Sequence, residues 1–73
     1  MTYNYSKLDG RITEKCGNRG NFARKINLSE RSVSLKMNNV RGWKQSEISS
    51  ACDVLEIPHE DIPAYFFAEK VQY

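Results

Sequence analysis

A chain of 73 residues, 40% of them hydrophobic, makes one domain (residues 1–73) with one small core. No apolar run approaches the roughly 18 residues of a membrane span, and no charged start leads into an apolar stretch with a cleavage site, so a soluble intracellular protein is expected. The net charge of +2 conceals an uneven split: residues 1–44 sum to +7 and residues 45–73 to −5, which suits a polyanion on one side and repels it on the other, unless both halves are simply solvated charged faces.

In chain order, Asn4 or Ser6 can cap a first helix whose apolar positions Tyr5, Leu8, Ile12 and Cys16 recur at steps of three and four. Gly17 supplies the left-handed closing position. Asn18 then caps a second helix over 19–26, in which Gly20 is an imperfection and not part of a phosphate loop, since no glycine-rich run surrounds it. Phe22, Ala23 and Ile26 share one face of that helix. Asn27 accepts a left-handed backbone cheaply and reverses the chain, and Ser29 caps a third helix with Val33 and Met37 on its buried face. Ala23 is small enough to let the two helices cross closely. A loop over Asn38–Trp43 leads to a fourth helix, Lys44–Leu55, where Ile48, Ala51, Cys52 and Leu55 form the cleanest amphipathic stripe of the chain. Pro58 suits the first position of a short fifth helix, and Pro63 limits its length. The tail YFFAEKVQY is expected to be extended or a short strand after an aromatic start that packs. The fold class that follows is a compact all-α domain of five helices.

Catalytic and metal constellations are missing from the pattern. His59, the only histidine, sits in a polar helix start, and Glu56, Glu60 and Asp61 have no basic or metal-binding companion. Cys16 and Cys52 lack a zinc or redox spacing and are expected as reduced core residues. Neither an enzyme nor a cofactor is expected. The third helix has a different use: held away from the surface by the second, it can enter the major groove of DNA. At 100° per residue, Arg31, Ser34, Leu35 and Asn38 point outward, with Glu30 at the start. Arg31 can donate two bonds to guanine, Glu30 can accept from cytosine or position Arg31, and Ser34 can bond adaptably. Leu35 suits a thymine methyl, or else packs on Trp43 or another subunit. Asn39, Arg41 and Lys44 are expected at phosphates, with Lys36 on the flank; pairing of Arg41 with Glu47 is the alternative. Backbone N–H groups after Asn18, at the start of the second helix, would meet a phosphate on the other side.

The stretch FARKINLSERSVSLKMNN resembles the helix-turn-helix (residues 19–39) of the Cro/cI-type (XRE) regulators, with Ala23 at the crossing, the turn at Asn27, Leu28-Ser29 after it, Val33 buried and Asn38-Asn39 at the end. The flanks NYSKLDGRITEKCG and WKQSEISSACDVLEIP resemble the short phage-encoded Cro-like proteins of Gram-positive hosts. The resemblance implies an operator-binding repressor of a lysis-lysogeny switch in the bacterial cytoplasm. It places base contacts on Arg19, Glu30, Arg31, Ser34 and Leu35; Arg19 replaces a frequent glutamine, so its role at a base or a phosphate stays open. The expected partners are a double-stranded DNA operator and a second copy, held weakly through Phe66–Tyr73 and in one variant of this reading only on DNA. The alternative is an antirepressor: a modulator that binds a partner repressor through the acidic face of the fourth and fifth helices.

Overall fold

The computed structural model describes residues 2–70 and contains five α-helices: α1 (Ser6–Cys16), α2 (Arg19–Lys25), α3 (Glu30–Met37), α4 (Gln45–Leu55) and α5 (Ile62–Phe66). A 3₁₀ turn, His59–Asp61, precedes α5. The radius of gyration, 11.4 Å, is that of a tightly packed chain of this length, about 11 Å. Among the described residues there is no strand, and helix α1 is the hub: it packs against α2, α4 and α5, while α2 packs against α3.

The amphipathic spacing explains this order. Tyr5, Leu8, Ile12 and Cys16 of the first stripe are all buried, and they meet Phe22, Ala23, Ile26, Val33, Met37, Ala51, Cys52, Leu55, Ile57 and Phe66 in one core cluster. Both cysteines are free and buried, and burial, with the neighbouring Asp53 carboxylate, pushes the Cys52 thiol up from its ordinary value. That keeps it protonated and unreactive.

The helix ends are built by local hydrogen bonds. At the start of α1 the cap is shared out differently from the expectation: Tyr5 occupies the cap position, Ser6 is already helical, and Asn4 Oδ1 accepts from the Ser6 N–H at 2.9 Å. Gly17, at φ 88°, closes α1 and donates its N–H to the Thr13 carbonyl. Asn18 Oδ1 accepts from the Asn21 N–H at 2.8 Å, and the Asn21 amide donates to the Cys16 carbonyl, so α1 and α2 are locked at a fixed angle. Helix α2 ends one residue early, at Lys25. Asn27 adopts φ 65° and the Leu28 N–H returns to the Ala23 carbonyl at 2.9 Å, which reverses the chain within three residues. Ser29 Oγ then accepts from the Ser32 N–H and starts α3.

Two expectations for the C-terminal third are corrected. Pro63 does not limit the last helix but lies in its first turn, where its missing N–H leaves nothing unpaired; the α-helix starts at Ile62, after the 3₁₀ turn that follows Pro58. Phe66, assigned to a dimer contact, is 2% exposed and belongs to the core, whereas Phe67 is 49% exposed. Among the described residues the tail makes no strand but an isolated antiparallel bridge between Tyr3 and Glu69, flanked by bonds from the Asn4 N–H to the Ala68 carbonyl and from the Lys70 N–H to the Thr2 carbonyl. Residues 71–73 of the expected dimer segment lie outside the described residues.

Asn39 fastens this clasp to the rest of the fold. Its side chain accepts from the Tyr3 N–H at 2.8 Å and donates to the Tyr3 carbonyl at 3.0 Å, as a strand neighbour would, from a backbone at φ 63°. Asn39→Gly keeps that backbone and removes both bonds, so thermal melting should show a loss of about 1–3 kcal/mol. Amide exchange should rise at Tyr3 and Asn4 and not in α4. An unchanged melting midpoint would mean that the clasp contributes nothing.

Candidate functional site

The face of α3 that looks away from the core carries Glu30, Arg31 and Asn38, all exposed, with Ser34 and Leu35 half-buried. The Leu35 carbonyl accepts from both the Val40 and Arg41 N–H groups and so turns the chain out of α3. Gly20 lies under Glu30, since a Cβ there would stand 3.5 Å from the Glu30 carboxylate and 3.3 Å from Asn18 Oδ1. This close approach is what the glycine in α2 permits.

Several residues expected at DNA have their side chains occupied within the chain. Arg19 Nε donates to Asp9 Oδ1 at 3.0 Å, Asn18 caps α2, and Asn39 holds Tyr3. Arg41 and Lys44 have exposed side chains with no ion pair among the described residues, and Arg41 does not meet Glu47.

Lys36, expected on the flank, is buried instead. Its ammonium ion-pairs with Glu47 Oε1 at 2.9 Å, donates to the Gly42 carbonyl at 3.1 Å and lies 5.8 Å from the Trp43 ring centre. Glu47 Oε1 also accepts from the Lys44 N–H at 2.8 Å, half of a capping box for α4. The effect is to clamp the α3–α4 loop from beneath. Burial pushes the Glu47 carboxyl up, yet the bonds from Lys44 and Lys36 and the Lys36 charge together outweigh it and hold the group below its ordinary value. The exposed charge of α3 therefore reduces to Glu30 against Arg31, while Arg24 and Lys25 at the end of α2 remain exposed beside it.

A second surface is centred on Phe67, at the end of α5. Among the described residues Phe67 and Val40, at 49% and 66% exposure, are the large apolar side chains left in solvent. Phe67 stands between two depressions. One, about 330 Å³, is walled by Tyr3, Val40, Trp43 and Phe66, and the Trp43 indole N–H is buried there without a hydrogen-bond partner among the described residues. The other, about 410 Å³, lies between α4 and α5. Sequence reasoning missed both, because they arise where Phe67 projects from the end of a helix whose start Pro63 had obscured. Among the described residues no cluster of His, Cys, Asp or Glu is arranged to hold a metal ion, and no helix is long and apolar enough to cross a membrane.

Over residues 1–69 the sequence matches the family described as "Protein of unknown function (DUF739)". The chain belongs to the DUF739 family. Among solved structures, this DUF739 chain is similar to the modulator of repression (MOR) of the temperate bacteriophage TP901-1 from Lactococcus lactis, at 56% identity and a TM-score of 0.81, over 99% of this chain and 97% of that one. No curated protein matches the chain.

Proposed function

We propose that this protein modulates a phage repression switch by binding the phage's repressor protein. The observation that carries the reading is the 56% identity to a phage modulator of repression across 99% of the chain. The charge distribution supports it: a repressor's DNA-binding surface is basic, and the −5 of residues 45–73 offers it a complement. The internal engagement of Arg19 and Asn39 also leaves fewer groups free for phosphates than an operator-binding domain of this shape would use.

A second reading, an operator-binding Cro-like repressor, is favoured by the α2–α3 corner, which presents Arg31 and Glu30 at the exposed start of α3 as a helix-turn-helix recognition helix would. Gel-shift with switch-region DNA, alone and with the cognate repressor, separates the two. On the modulator reading the chain alone leaves the duplex unshifted and removes or alters the repressor's band. On the DNA reading the chain shifts the operator by itself, Arg31→Ala costs about 1–3 kcal/mol there and little on a scrambled duplex, and Arg41→Ala or Lys44→Ala weakens both duplexes alike and lowers the salt slope by about one unit. A band for the chain alone that Arg31→Ala abolishes would replace the modulator reading.

A further inference from the structure

The depression between α4 and α5 is lined by apolar Ile48, Cys52, Ile62 and Phe67 and by polar Gln45, Ser49 and His59. Its volume of about 410 Å³ falls within the range of small binding pockets, and takes an aliphatic side chain with room to spare. The residues that adjoin this lining in sequence are acidic: Asp53 follows Cys52, and Glu60 and Asp61 separate His59 from Ile62. All three acids are exposed, and none has an ion pair among the described residues. An apolar groove whose lining residues are flanked in the chain by unpaired carboxylates disfavours phosphate and favours a chain that combines apolar anchors with positive charge.

We infer that this groove docks a basic amphipathic helix of a partner protein, with one or two Leu-sized side chains in the α4–α5 depression and Lys or Arg against Asp53, Glu60 and Asp61. The identity of the partner as a repressor rests on the reading above; the chemistry of the groove does not. Helices dock in such grooves through anchors at i, i+3 or i+4, and i+7, and exposed Phe67 forms the ridge over which such a stripe would lie. The exposed cations Arg24, Lys25 and Arg31 of α2 and α3 disfavour the same helix at that corner.

The test uses the full chain and a synthetic helix of about 18 residues, long enough to be helical, with Leu at the anchor spacing and Lys elsewhere. Two controls replace Lys by Glu and Leu by Ser. The Leu/Lys helix should shift the amide resonances of Ile48, Cys52, His59 and Ile62, and neither control should do so. A charge-reversed variant, Asp53→Lys with Glu60→Lys and Asp61→Lys, alters exposed positions only and should keep its helicity while binding about tenfold more weakly or worse. Shifts confined to α2 and α3, equal binding by the charge-reversed variant, or shifts that depend only on the chain's own concentration, which would mark a second copy as the occupant, would each overturn the assignment. The repressor's DNA-binding domain separates the two levels. If it binds parent and charge-reversed chains equally, the groove is wrong and the modulator reading stands; if the Leu/Lys helix binds the groove and the repressor domain does not bind at all, the groove stands and that reading fails.

Discussion

Val33→Asp should leave the chain unfolded at room temperature. Val33 is fully buried, in the one core cluster that α1, α2, α3, α4 and α5 all share. An aspartate there must either bury an unpaired carboxylate, at several kcal/mol, or take up a proton and still leave a hydroxyl and a carbonyl without partners. The whole stability of a small domain is about 5–15 kcal/mol, and a chain of 73 residues belongs near the lower end. Val33→Thr is the graded control: nearly the same shape with one buried hydroxyl, it should cost about 1–3 kcal/mol and keep the fold. Circular dichroism and thermal melts would read both. Undiminished helicity and an unchanged midpoint in Val33→Asp would mean that this face of α3 is not in the core.

The same valine was identifiable from the sequence, because helical spacing is set by local geometry that survives in any tertiary setting. The stripes of α1 and α4, the glycine stop at Gly17, the left-handed corner at Asn27 and the caps at Asn18 and Ser29 all depend on neighbours within four residues, and the structure has each of them. Where the fold relies on distant partners the sequence was silent. Glu56 ends α4 in a left-handed conformation, φ 55°, that a glycine would normally mark. What supports it is remote: Arg11 donates to the Leu55 and Glu56 carbonyls and Lys15 pairs with the Glu56 carboxylate at 2.7 Å, all from α1. The clasp between Tyr3, Asn39 and Glu69 joins both ends of the chain to one loop and leaves no periodic trace.

For the candidate site, angles were legible and company was not. The helical wheel turns Arg31 outward, and it is exposed. That wheel cannot show that the Gly42–Trp43 loop folds back over Lys36, nor that Asp9, one helix earlier, is within reach of Arg19. The alternative pairing of Arg41 with Glu47 is not formed, because the cation that Glu47 takes comes from α3. The charge split between the halves was visible from counting alone. Its meaning became more definite once Phe67 and the α4–α5 depression gave the acidic half an apolar centre to recognise a partner with.

Breaking the Lys36–Glu47 pair should be the most costly change after those in the apolar core. The side chains are 7% and 13% exposed, so Lys36→Met leaves Glu47 a nearly buried carboxylate without its cation and should cost about 3–5 kcal/mol. Adding Glu47→Gln, which retains an acceptor for the Lys44 N–H, removes the stranded charge and should recover much of that loss. The non-additivity of the two changes is the signature of a direct pair. Acid provides an independent check. The Glu47 carboxyl is held below its ordinary value of 4.5 in the folded chain, so its contribution is complete above that value and is lost as the pH falls through it toward the folded pKa. The midpoint of the parent should therefore drop on acidification below about pH 4.5, and that of Glu47→Gln should drop less over the same interval. Parallel pH profiles for the two proteins, or additive losses in the double variant, would show that Lys36 and Glu47 do not hold the α3–α4 loop together.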